Sequence, residues 1–182
     1  MGVHHYFVRP FGIALAMSGD LAGAEKLATQ LAHDYPTETF TMSGTVPVVR
    51  AVVELGRGDG AKAVETLQPT VRFESGALLG GLPLYLRGLA NIRMGQGKEA
   101  AEQFQKLLDN RGLCSVTPQC ALSRLQLARA KTLAGDNAGA ERGKVGAGGA
   151  GFFNRRLEHR TRAVERDFPS TAKVAHLEFA LL

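Results

Sequence analysis

Any chemistry in this chain has to come from a short roster of side chains. The run Gly146-Ala147-Gly148-Gly149-Ala150-Gly151 has the small residues of a phosphate-cradling loop. Such a loop follows a strand and opens a helix, often with Lys-Ser or Lys-Thr. Phe152-Phe153-Asn154 follow instead, so no nucleotide or other cofactor is expected. The histidines, His4, His5, His33, His159 and His176, offer no pair at ligand spacing with a third ligand nearby. Cys114 and Cys120 have five residues between them and fit no zinc pattern. They read as two reduced thiols in or beside a loop, with a disulfide closing that loop as the lesser alternative. Ser123 and Ser170 have no identifiable base, and Glu25, Glu65, Glu99 and Glu102 fall on expected solvent faces. Catalysis needs nucleophile, base and orienting group together. No catalytic, cofactor or metal residue is assigned, and a non-enzyme is expected.

The elements must therefore carry the function. The 182 residues are 45% hydrophobic and 21% charged, which suits one domain with a buried core. The chain has no Trp but 22 Gly, the composition of close packing between small residues. The uncharged stretch Ser75–Leu86 has only 12 residues, broken by three Gly and a Pro. A bilayer span needs about 20 apolar residues. The start, Met1-Gly2-Val3-His4-His5-Tyr6, lacks the basic region of a signal peptide. A soluble, cytoplasmic chain without a membrane partner is expected. Residues 141–182 hold 8 Lys/Arg against 5 Asp/Glu, while the first 140 hold 14 against 12. The basic excess lies in the tail, so the overall charge of +5 is weak support for nucleic acid as a partner.

Four glycine turns punctuate apolar segments: Gly19-Asp20, Gly58-Asp59, Gly95-Gln96 and Gly135-Asp136, at spacings of 39, 37 and 40 residues. Five residues after each Gly stands an Ala: Ala24, Ala63, Ala100 and Ala140. Seven before it stands a small residue: Gly12, Ala51, Gly88 and Ala128. Five before it stand Ala14, Val53, Ala90 and Ala130. Phe11–Met17, Val46–Leu55, Leu84–Met94 and Ala121–Leu133 read as helices with apolar faces. Each ends at a Gly that can take the left-handed conformation. Asp20, Asp59 and Asp136 can cap the helices that follow. Those second helices are Leu21–His33, Ala61–Leu67, Lys98–Leu108 and a weaker one from Asn137. The period predicts an all-α stack of about four helical hairpins.

These residues resemble the tetratricopeptide repeat. Gly12 and Gly88 match that family's first-helix Gly, and Ala24, Ala63, Ala100 and Ala140 its second-helix Ala. Phe104 matches a later apolar position and Pro36 the closing Pro. The likeness covers about residues 6–140, without the family's first-helix Trp and with longer connections at Thr37–Thr45 and Asp109–Pro118. Arg50 and Arg87 stand where the family prefers apolar residues. The resemblance implies a right-handed, TPR-like solenoid whose first helices line a concave surface for a protein or peptide partner. Tyr6, Arg9, Met17, Tyr85, Arg93 and Arg129 are its contact candidates, with Ile13, Val48, Val52, Leu89 and Leu125 facing the same way. Ala14-Leu15-Ala16 before Gly19-Asp20, and Gly97-Lys98-Glu99-Ala100-Ala101 through Phe104-Gln105-Lys106, are also similar to the repeat region behind some bacterial serine/threonine protein kinases. The kinase's own motifs are missing, so that likeness implies an accessory, kinase-associated segment without activity.

The pattern fades after Ala140. Gly143–Gly151 holds five Gly in nine residues, and Arg155, Arg156, Arg160, Arg162 and Arg166 follow. Residues 1–140 are therefore read as the TPR-like domain and 141–182 as a Gly-rich linker with a basic helical tail. That tail is a cap on the last repeat, a basic arm, or a segment foreign to the repeat. The expected function is a non-catalytic protein–protein interaction scaffold, able also to pair with a second copy. The alternatives are a detached accessory fragment of a kinase and a nucleic-acid adaptor acting through the Arg-rich tail.

Overall fold

A computed structural model describes residues 4–74, 76, 78–114, 118–136 and 138–140. The expectations for the tail, 141–182, lie outside them. Among the described residues there are helices and turns and no strand. The helices are α1 (His4–Met17), α2 (Leu21–Asp34), α3 (Val46–Arg57), α4 (Gly60–Thr66), α5 (Leu82–Arg93), α6 (Gly97–Asp109), α7 (Arg111–Cys114) and α8 (Pro118–Leu133). None of these is long and apolar enough to cross a membrane.

The four glycines end their helices in one geometry. Gly19, Gly58, Gly95 and Gly135 all have positive φ, between 74° and 92°. At each turn the next residue's N–H reaches back five residues, to the carbonyls of Leu15, Glu54, Asn91 and Lys131 at 2.8–3.0 Å. The glycine's own N–H bonds three residues back. This is the Schellman arrangement, which satisfies the last carbonyls of a helix and needs a left-handed residue. The following Asp then caps the next helix: Asp20 accepts from Gly23 N at 2.8 Å, Asp59 from Lys62 N at 2.9 Å and Asp136 from Gly139 N at 2.8 Å. Two residues thus stop one helix and start another. Asp59→Ala should lower the unfolding free energy by about 1 kcal/mol, read from the midpoint of urea denaturation. Gln96 makes no such bond, so Gln96→Ala should change almost nothing.

The small residues lie where the helices meet. Ala24, Ala63 and Ala100 are completely buried, and so are Ala51, Ala90 and Ala130. A Cβ on Gly60 would lie 2.8 Å from the Ala90 carbonyl oxygen, and one on Gly97 would lie 2.8 Å from that of Ala130. The starts of α4 and α6 therefore touch the first helix of the following pair backbone to backbone, while α2 meets α3 through the Leu21 side chain over Gly56. Helices pack in chain order: α1 on α2, α2 on α3, α3 on α4, α4 on α5, α5 on α6 and α6 on α8. Alternate helices meet as well, α1 with α3, α3 with α5 and α5 with α8. One continuous apolar core runs from Ala16 to Ala130.

Two connections depart from the loops expected there. Between α2 and α3 the chain is already helical from Thr39, and Thr41–Thr45 forms a π turn leading into α3. Pro47 supplies the reason. It has no N–H for the Ser43 carbonyl and its ring crowds that carbonyl, so the backbone widens ahead of it. Val46 N–H bonds instead to the Thr41 carbonyl, five residues back. After α4, a 3-10 segment, Gln68–Phe73, packs against that π turn, with Phe40 and Phe73 edge to face at 5.6 Å. In the second connection, read as the loop Asp109–Pro118, α7 forms a helical turn. Cys114 there is disulfide-bonded to Cys120, with Cα atoms 5.3 Å apart. The reduced-thiol expectation is corrected on this point.

Candidate functional site

The contact candidates do not converge on one open surface. Tyr85 is fully buried and its ring meets Phe104 edge to face at 5.8 Å. It is a core residue rather than a contact for an incoming partner. Val48, Val52 and Leu89 are buried with it. The cause is local: α3 has helices on both sides, and the π turn and the 3-10 segment also pack on it. The face expected to be open along the middle helices is closed.

The arginines divide into two kinds. Arg9 is half-buried and its Nη1 donates to the Leu78 carbonyl at 2.6 Å. Burial pushes its pKa down, the sign of a guanidinium drawn partly out of water. Arg93 donates from Nη1 to the Leu55 carbonyl in the last turn of α3. Both therefore fasten one element to the backbone of another. Arg129 is exposed on α8, and Met17 is partly buried against the core. Tyr6 belongs to α1, and its side chain lies outside the described residues.

What remains open sits on the outer first helices. On α8, Leu125, Arg129 and Leu133 recur every four residues and none is fully buried; Leu133 is 47% exposed. On α1, Arg9, Ile13 and Met17 occupy the equivalent places, each half-buried. Phe11, in the position of Arg50 and Arg87, is 69% exposed, since no described helix pair lies before α1. A separate groove on α2 is lined by Glu25, Lys26, Thr29, Gln30 and His33. At its end Asp34 is held below the usual carboxylate range, first by His33 and then by the amide of Gln30. The groove comes from a single helix and converges on nothing.

The two arginines that break the repeat's apolar pattern both bridge elements. Arg50 Nε bonds Glu25 Oε1 at 3.0 Å, joining α3 to α2. Arg87, only 8% exposed, pairs with Glu74, 3% exposed, and Lys106 Nζ reaches the other Glu74 oxygen at 3.0 Å. Arg87 was visible in the sequence as a charge at an apolar position. Glu74 was not, because it follows a 3-10 segment with no periodicity to place it. Among the described residues no group of three or more His, Cys, Asp or Glu could hold a metal ion. The chain matches no protein-family model, no curated protein and no solved structure.

Proposed function

We propose that this chain is a non-catalytic interaction scaffold, its helix pairs stacked in the manner of tetratricopeptide repeats. Four turns of one geometry, each followed by a buried Ala, support a modular stack whose units differ mainly in what they expose. The observation that carries the reading is the stripe Leu125–Arg129–Leu133 on α8, open where its counterparts Val48 and Val52 on α3, and Tyr85 and Leu89 on α5, are buried. Apolar side chains one turn either side of the exposed Arg129 fit a peptide with apolar anchors and acidic residues beside them.

Peptide display against the immobilised chain tests this. Acidic peptides with apolar anchors should be enriched, and Arg129→Glu should weaken their binding at least about tenfold by removing and reversing the charge. Lys26→Glu, in the α2 groove, should leave binding unchanged. Peptides that bind the Arg129→Glu chain as tightly as the original would overturn the assignment, and so would the absence of any selected peptide.

A further inference from the structure

We infer that the Cys114–Cys120 disulfide is a redox modification site that latches α8 onto the rest of the molecule. The argument is independent of the partner-binding reading and joins two observations.

The first is where the bond lies. Cys114 ends α7 and Cys120 is the third residue of α8. The α7 turn is itself anchored: Leu113 is buried and lies with Leu107 against Gly81 at the start of α5. Its N–H donates to the Asn110 carbonyl at 3.0 Å. The disulfide therefore ties the first turn of α8 to a fixed point on α5 and α6.

The second is how poorly α8 is satisfied once docked. Gln119 Oε1, Ser123 Oγ and Gln126 Oε1 are shut off from solvent and have no hydrogen-bond partner among the described residues. They recur at four and three residues, along one side of the helix. Counted back from the turn glycines, their counterparts are Met42, Val46 and Val49 in the second pair and Leu79, Pro83 and Leu86 in the third. All six are apolar, and five of them are buried. The fourth pair thus carries a polar stripe where the second and third carry mostly core. Docking strips water from three polar atoms without replacement, a cost that release would relieve. An element held by a covalent tie over an unsatisfied contact has two accessible states.

The exchange needs an external thiol. Cys114 is partly exposed and Cys120 is buried, so a thiolate meets the Cys114 sulfur first. The new bond forms between that thiol and Cys114, the old S–S bond breaks, and Cys120 leaves as a thiolate that takes up a proton. A second thiol displaces Cys114. The external pair is oxidised to a disulfide and both cysteines end as thiols. With a dithiol such as dithiothreitol both steps use one molecule.

Hydrogen exchange on the full chain, oxidised and after dithiothreitol, tests the latch. Reduction should speed exchange across 118–133 at least about tenfold and leave α3 and α5 unchanged. Reoxidation with glutathione disulfide should restore the slow rate, and Cys120→Ser should behave as the reduced chain. In the reduced state, Ser123→Ala combined with Gln126→Leu should slow α8 again, because the stripe then packs without a dehydration cost. Equal exchange of α8 in both redox states overturns the proposal. So does a uniform acceleration of every helix, which is loss of general stability. Failure of the double variant to slow α8 does the same, and so does a mass that shows two thiols after oxidation.

Discussion

Phe104→Ala is expected to lower the unfolding free energy by about 4 kcal/mol, the upper part of the range for truncating a buried aromatic. The ring is completely buried, lies edge to face with Tyr85 and fills the space that Gly88 leaves open. Gly88→Ala probes the same contact from α5. Its methyl would collide with Phe104, reaching 2.9 Å from Cδ1 and closer to the ring edge. Tyr85 stands against the ring, so the ring has little room to withdraw. Overpacking of this kind costs roughly 1–3 kcal/mol, against roughly 1 kcal/mol regained when Ala replaces Gly inside a helix. The net loss should be at most about 2 kcal/mol. Phe104→Leu alone removes part of the ring's volume and destabilises. Adding Gly88→Ala to it should cost nothing further, because the obstructing atoms are gone. A double-mutant cycle by urea denaturation then shows a coupling of about 1–3 kcal/mol, the overpacking cost itself, since the helix-propensity gain cancels. Additive effects would mean that the two residues do not share this contact.

That pair also shows which parts of the fold the sequence exposes. Gly88 and Phe104 are separate signals sixteen residues apart, one a missing side chain and one a large one; the structure makes them a single contact. The Gly-Asp turns were legible because a left-handed C-terminal stop and an N-cap each demand a particular residue type. The buried Ala positions were legible because only a small side chain lets two backbones meet. Thr41–Thr45 was not, since Thr, Ser and Gly before a proline read as turn chemistry, whereas here the helix absorbs Pro47 by widening. Tyr85 was misplaced for another reason. An aromatic on a first helix serves equally in a core or at a contact surface, and the choice rests on what the connections after α2 and α4 cover. The disulfide was legible only as the lesser alternative. Five intervening residues permit many separations, and only the α7 turn brings the two Cα atoms within bonding range.

Glu74→Ala should be the most damaging change of a charged residue, at about 3–5 kcal/mol, because it leaves the Arg87 guanidinium buried without its counter-ion. Burial already pushes the Arg87 pKa down, and its Nε has no hydrogen-bond partner among the described residues. The pairing with Glu74 and a longer bond to Thr70 Oγ1, at 3.5 Å, are what compensate the desolvation. Arg87→Met should cost less, since Lys106 still meets Glu74. Lys106→Ala should cost under about 1 kcal/mol, because the Lys106 side chain is 61% exposed and solvated either way. Replacing both partners, Glu74→Leu with Arg87→Met, should return close to the original stability, since two apolar side chains need no neutralisation. The order Glu74→Ala, Arg87→Met, Lys106→Ala, double variant is the expected result of guanidinium chloride denaturation at fixed pH. A loss for Glu74→Ala no larger than for Lys106→Ala would show that Arg87 finds water when its partner is removed. The cluster links the segment after α4 to α5 and α6, the second helix pair to the third. The double variant keeps that joint packed but removes its directional bonds. Under the function proposed above, the double variant should then bind the selected peptides less tightly at unchanged stability, a separation that no simple loss of folding reproduces.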